Sequence, residues 1–490
     1  MNQTKYGKFL CVILSLLFFL LSCKQTADNV ASNSDDGGYL HAIHMKSASD
    51  IHVILHDKLK ADSVATAFKF TSSAPQAHLI ENVDKWRLST EVEGETPCWA
   101  WLDGTTIYCY AKDFTDKGKK LPLESAEKLF YNCKTLEEID LHLFDTSRCT
   151  DMSMMFFECT ALKTLDVTGF DTSNVTNMMR MFGFCSSLES VDVTHFDTRS
   201  IGKGELNDGG YVEMFDGCTS LKEVDITDFR TDKNANMSSM FRNCSSLTKF
   251  RKDSANVFQP CNMESMFTGC SSLVANAGSS SHFNADWFDT SKVTSMANLF
   301  RQCSKIESLN LDRWDVSNVA SMKNMFGLCV TLICPFESAA IYWDTSRCAD
   351  MSGMFGTCYA LNEIAESLAN FDTRNVVNMS SMFSFCTALT ELDVSSWNVS
   401  KVTDMTDMFW GCSELKTIYA SDAFNGDWRK LQTSEGGVLE FHDNMFTECN
   451  AIIGKGANGD SSTGYDSSVT DIEGAHFGGL GNDPGYFTKK

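Results

Sequence analysis

The chain has 490 residues, 43% hydrophobic and 21% charged, a globular composition that excludes wholesale disorder. Its 41 lysines and arginines against 64 acids give a formal charge of −23, which argues against a nucleic-acid partner, because phosphate binding rests on cationic side chains displacing counterions. The first 122 residues carry only −1 of that charge, so the acidity belongs to residues 123–490, and 20 cysteines beside 6 prolines call for an explanation.

At the amino end, Lys5 and Lys8 precede an apolar run from Phe9 to Leu21. A charged start, a short apolar stretch and a small residue make residues 1–22 a secretory signal peptide. A membrane-spanning helix needs ~20 apolar residues, and this run is shorter. The ending Leu20-Leu21-Ser22-Cys23 resembles a bacterial lipobox, which implies that Cys23 is acylated and becomes the first mature residue. Lys24 stands where an aspartate would signal retention at the inner membrane, so the anchor is expected at the outer membrane, with the chain facing outward. Residues 23–39 are polar and without apolar periodicity, a flexible tether.

Residues 40–122 read as a small β-rich N-terminal cap. Asp103-Gly104 is a hairpin signal between CWAWL and TTIYC. A two-residue turn at that dipeptide sets Cys98 directly opposite Cys109, a candidate disulfide in an exported protein. Upstream lie His41, His44, His52 and His56. His52 and His56 share a face in either a helix or a strand, but Ile51, Val53 and Leu55 alternate with them, so they form the polar face of a cap segment and no metal is expected.

From residue 123 to 452 one unit recurs twelve times. The string [Met/Leu]-Phe-x-x-Cys-x-x-[Leu/Ile] returns at Cys133, Cys159, Cys185, Cys218, Cys244, Cys270, Cys303, Cys329, Cys358, Cys386, Cys412 and Cys449, with a base period of 26 and insertions elsewhere. Within a unit, Leu162, Leu165 and Val167 suit a short strand. Val175, Met178, Phe182 and Cys185 follow at i, i+3, i+7 and i+10, one stripe of an α-helix, with Asp171-Thr172-Ser173 as its cap. Such units bury their apolar faces only by stacking. The fold class is therefore α/β, a leucine-rich-repeat-like solenoid of one short parallel strand plus one helix per 26-residue repeat, closed by a C-terminal cap at 453–490.

The signature FDTSNVTNM with MFGFCSSL, repeated as FDTRNVVNM with MFSFCTAL and WNVSKVTDM with MFWGCSEL, resembles the BspA-like leucine-rich-repeat surface proteins of bacteria. The likeness runs from about residue 120 to the closing Asp483-Pro484-Gly485-Tyr486-Phe487. One departure is that Phe170, Phe196, Trp314 and Trp397 hold the place of the usual Asn/Cys ladder after the strand, while the cysteines sit at the far end of the unit. The resemblance implies adhesion to host extracellular matrix, host cell surfaces or other bacteria.

The repeat cysteines would stack ~5 Å apart with parallel Cβ vectors, a geometry of buried thiols rather than disulfides. No hydrolase, phosphate-loop, dinucleotide or zinc-protease motif occurs, so neither catalysis nor a cofactor is expected. The remaining candidate is the outer face of the strands, where Glu138, Asp140, Asp166, Asp192, Asp225 and Asp393 would form a column of carboxylates for basic protein segments or for Ca²⁺-bridged ligands. A glycan-binding reading rests instead on Trp287, Trp343 and Trp428 as stacking platforms. The expected product is a monomeric binding protein, lipid-anchored at the cell surface, whose partners are surface macromolecules, protein and in the second reading glycan.

Overall fold

A computed structural model describes residues 46–59, 61–72, 85–89, 98–111, 120–201, 210–229, 235–252, 257–274, 287–309, 311, 313–336, 343–362, 364, 368–420, 445–452 and 487–489. The signal peptide, the tether, Cys23, His41, His44, Trp428 and most of the segment assigned to the C-terminal cap lie outside them.

The cap opens with helix α1 (Ala48–Val53), started by Ser47, whose hydroxyl accepts from the Asp50 N–H at 3.2 Å. A π-helical turn (Ile54–Lys58) continues it, and Ile51, Leu55 and Leu59 are buried. Strands β1 (Ala67–Phe70), β2 (Lys85–Arg87), β3 (Cys98–Asp103) and β4 (Thr106–Ala111) come next. After β5 (Leu121–Pro122) comes β6 (Glu138–Ile139) of the first coil, and the sheet order β2-β3-β4-β1-β6 joins the cap to the repeats through β1.

The hairpin register differs from the sequence expectation. Asp103 pairs with Thr106, so the two-residue loop is Gly104-Thr105, with Gly104 at φ +58°. The positive φ is set one step earlier in the loop than Asp103-Gly104 implied. Cys98 therefore pairs with Ala111 and Ala100 with Cys109.

In the repeats the strands are short and parallel. β5 pairs with β7 (Phe144–Asp145), β8 (Thr164–Leu165) with β9 (Ser190–Val191), and β10 (Glu223–Asp225) with β12 (Lys249–Arg251). On a second side, β11 (Ala235–Asn236) pairs with β13 (Pro260–Asn262). β14 (Glu391–Asp393), β15 (Thr417–Ala420) and β16 (Phe487–Lys489) form a three-stranded parallel sheet. The pairs Thr164 with Ser190, Glu223 with Lys249 and Glu391 with Thr417 are one repeat apart, so the sequence period is the sheet register.

The expected helices are absent: among the described residues, none of the Phe-x-x-Cys segments is α-helical. The chain instead makes consecutive tight turns. Met155, Phe157 and Cys159 donate to carbonyls three residues back, while Met154, Phe156 and Glu158 donate to Met179, Met181 and Gly183 of the next coil at 2.8–2.9 Å. Met154 and Glu158 take φ +55° and +60°, and the same two places are left-handed in coil after coil, as at Arg180 and Phe184 or at Ser239 and Asn243. Each non-glycine residue there carries roughly 1–2 kcal/mol of strain. The stacked coil offsets it with the bonds an isolated helix would have made to itself.

These turns bring the same residues inward that a helical stripe would. Met178, Met181, Phe182, Cys185 and Leu188 are all buried. Through the core runs one column of phenylalanines, from Phe130, Phe156 and Phe182 to Phe409 and Phe446, with successive centroids 5.3–6.0 Å apart and planes within 4–14°. The parallel stacks arise from identical rotamers repeating at one coil's spacing. Beside it runs a thiol ladder: Cys159 donates to the Phe130 carbonyl at 3.1 Å, Cys185 to Phe156 at 3.0 Å, and so on to Cys449 and Phe409 at 2.9 Å. A third column lies where helix caps were expected. Asp171 Oδ1 accepts from the Ser173 N–H at 3.0 Å, while the buried Thr172 hydroxyl donates to the Asp197 carbonyl of the next coil at 3.1 Å.

Candidate binding face

Every second strand residue points away from the Phe–Met–Cys core, which places the acidic candidates on the outer face of the sheets. Their carboxylates are not bare. Asp166 Oδ1 accepts from the Thr168 N–H at 3.0 Å and from its hydroxyl at 2.6 Å, and Asp192 is held in the same way by Thr194 at 3.0 and 2.7 Å. Asp225 is held by Thr227, and Asp140 by the backbone and ring of His142. The Asp-x-Thr spacing thus forms an Asx turn that ends the strand. The hydroxyl bond first, then the backbone N–H, lowers the Asp166 and Asp192 carboxyls below the ordinary aspartate value.

Two corrections concern the column. Asp393, bonded to the Ser395 N–H at 3.0 Å, is only 8% exposed and so does not stand on an open strip. Nor is the face uniformly acidic: Lys249 and Arg251 on β12 pair in register with Glu223 and Asp225 on β10. Lys249 Nζ lies 3.5 Å from Glu223, Lys222 2.6 Å from Glu189, and Lys69 2.7 Å from Glu138. The period carries this signal, because Lys249 and Arg251 fall one repeat after Glu223 and Asp225; a column sought by acidic positions alone misses them. Ser190, Asp192, Thr194, Glu223, Asp225 and Arg251 together line a shallow depression of about 340 Å³ on this face. Its donors and acceptors suit a polar, charged chain segment rather than an apolar small molecule.

The other candidates separate. Trp287 and Trp343 are 3% and 2% exposed and belong to the core, with the Trp343 indole N–H donating to the Leu311 carbonyl at 3.2 Å, so they offer no stacking platform. His52 and His56 do approach each other, with rings 5.3 Å apart, and Asn132 Nδ2 lies 3.2 Å from His56 Nε2. Burial, then the neighbouring His56, pushes the His52 pKa down. Among the described residues no group of three or more His, Cys, Asp or Glu side chains converges as a metal site. Cys98 and Cys109 are buried free thiols, diagonal across β3 and β4, with sulfurs 3.5 Å apart. No helix among the described residues is long and apolar enough to cross a membrane.

Residues 124–205, 210–280, 276–338 and 333–455 match the family described as "Mycoplasma protein of unknown function, DUF285". The chain belongs to the DUF285 family. The matched segments coincide with the coils that carry the phenylalanine and thiol columns, so the DUF285 repeat is this coil of tight turns and a short strand. No curated protein matches the chain. Among solved structures, the chain is similar to a leucine rich cell surface protein from Faecalibacterium prausnitzii A2-165, at 17% identity over 72% of this chain and 84% of that one, with a TM-score of 0.32. It is also similar to a chain of the TLR13–ssRNA13 complex, at 10% identity over 68% and 72%, with a TM-score of 0.15. Neither superposes closely enough to bear on what this DUF285 chain does.

Proposed function

We propose that this DUF285 chain is a lipid-anchored adhesin on the extracellular side of the outer membrane, a monomer that binds surface macromolecules and catalyses nothing. What supports the reading is the depression between β9, β10 and β12, where ordered carboxylates and Arg251 line an open polar face. Such a face recognises an extended protein segment whose charges complement Asp192, Glu223 and Asp225 on one side and Arg251 on the other. The secretory start and the lipobox-like Leu20-Leu21-Ser22-Cys23 supply the expectation of export, and the resemblance to BspA-like proteins supplies that of adhesion. The glycan alternative loses its support at Trp287 and Trp343, which are core residues.

Two measurements test the proposal. Protease added to intact cells should cleave the protein, and a fully protected chain would end the adhesin reading. On a panel of matrix proteins and glycans, binding should go to proteins and weaken as ionic strength passes about 0.1 M, where the Debye length falls to ~10 Å.

A further inference from the structure

The cap and the repeats use cysteine in opposite ways. In the ladder from Cys159 to Cys449, each period-marking thiol is aimed at a backbone carbonyl of the preceding coil, as Cys244 at Phe215, Cys270 at Phe241 and Cys303 at Phe267, at 3.1–3.2 Å. In the cap, Cys98 and Cys109 are diagonal neighbours across β3 and β4, with sulfurs 3.5 Å apart on the buried side of the hairpin. A disulfide needs ~2.05 Å, so the two sulfurs must approach by about 1.5 Å, and a diagonal pair reaches that by side-chain rotation together with a small shift of the strands.

We propose that Cys98 and Cys109 are joined by a disulfide in the exported protein, set while the cap folds, and that the ladder thiols stay reduced beside it. This rests on the export assumed in the proposed function and is independent of any ligand. One cysteine thiolate attacks an external disulfide, either glutathione disulfide or the disulfide of a dithiol–disulfide oxidoreductase, breaking its S–S bond, so that one carrier sulfur leaves as thiolate and the other is held in a mixed disulfide. The second cysteine, as thiolate, displaces the carrier sulfur. Two cysteine protons are released, and two electrons pass to the carrier, which leaves as thiol.

Both sulfurs are fully buried in the folded cap, out of reach of an external disulfide, and the S–H bond with Cys98, then burial, pushes the Cys109 pKa well above its ordinary value. Exchange therefore belongs to the open chain, before β4 is covered. Once formed, the link ties β3 to β4, and β4 pairs with β1, which pairs with β6 of the first coil. The staple holds the N-terminal end of the solenoid closed.

The test uses the full chain purified from exporting cells, denatured, alkylated without reduction and digested. Peptides bearing Cys98 and Cys109 should be recovered linked, about 2 Da lighter than their sum, while Cys159 to Cys449 carry the alkyl group. Full alkylation of Cys98 and Cys109 overturns the proposal, as does a link between ladder cysteines. A second arm refolds the reduced, denatured chain in a glutathione couple. Free thiols in both arms overturn the disulfide chemistry itself. A link in the refolded chain alone overturns the proposal through its premise of export, on which the adhesin reading also stands. Oxidation of the already folded, reduced chain should be slower than that of the unfolded chain by about tenfold or more, and equal rates would overturn the order of events.

Discussion

The thiol of Cys185 donates a 3.0 Å hydrogen bond to the carbonyl of Phe156, and the same carbonyl accepts the Cys159 N–H at 3.1 Å. Both lone pairs of one oxygen are thereby used, one to close a turn within a coil and the other to tie the next coil to it. No other small, mostly apolar side chain carries a donor to that place, which gives cysteine a physical reason to mark the period.

The ladder predicts a graded response to substitution. Cys244→Ala removes both the sulfur's packing and its bond to Phe215, and should cost about 1–2 kcal/mol. Cys244→Ser keeps a donor and should cost less. Urea denaturation with amide exchange at Phe215 and Met240 measures the difference, and a serine no better than alanine would assign the role to packing alone.

Alkali should unfold the repeats. Burial pushes Cys185, Cys329 and Cys449 up to about 12 from an ordinary value of 9.0. A raised folded-state pKa means that the unfolded chain loses these protons first, so the stability is fully present below about pH 9 and drains away as pH climbs toward 12. Far-UV circular dichroism against pH should show a steep loss in that window, made shallower by replacing several ladder cysteines with alanine.

Gly217 is costly to replace. It takes φ +72°, and a Cβ there would stand 2.7 Å from the Phe184 ring of the preceding coil. Gly217→Ala combines left-handed strain with that contact and should cost roughly 1–3 kcal/mol in thermal unfolding. The double variant Gly217→Ala with Phe184→Ala should recover the part due to the ring.

The Thr146 hydroxyl donates to the Asp171 carbonyl at 3.0 Å and accepts the Asp171 N–H at 2.8 Å, bridging one coil to the next. Thr146→Val keeps the volume and takes the bridging hydroxyl from the Asp171 N–H and carbonyl, at about 1 kcal/mol. Thr146→Ser should be milder, and faster amide exchange at Asp171 would locate the loss.

On the binding face, replacing Asp166, Asp192 and Asp225 with Asn should weaken a cognate protein partner by severalfold and reduce its salt dependence. Because threonine bonds hold Asp166 and Asp192 below the ordinary carboxyl value of 3.8, their charge is lost only as pH falls below it. Surface plasmon resonance from pH 7 to pH 3 would reveal the binding loss. Unchanged affinity in the triple variant would remove the strip from the proposal.

Much of this protein was legible without coordinates. The 26-residue spacing of Cys133, Cys159 and Cys185 requires stacked, parallel units, because a single unit cannot bury Leu162, Leu165 and Phe182 by itself. It also sets the strand register, and the alternation along TLDVT puts Asp166 on the outer face. What only the tertiary structure decided is the form of the segment between strands. Met178, Met181, Phe182 and Cys185 satisfy a helical stripe and a run of tight turns equally well, since both bring a residue inward every three to four positions. The choice depends on where the N–H groups of Met154 and Phe156 find acceptors, and those belong to Met179 and Met181 of the next coil. The charge of the face obeyed the same division. A strip read from acidic positions alone omits Lys249 and Arg251, because cross-strand neighbours become visible only when coils one period apart are laid side by side.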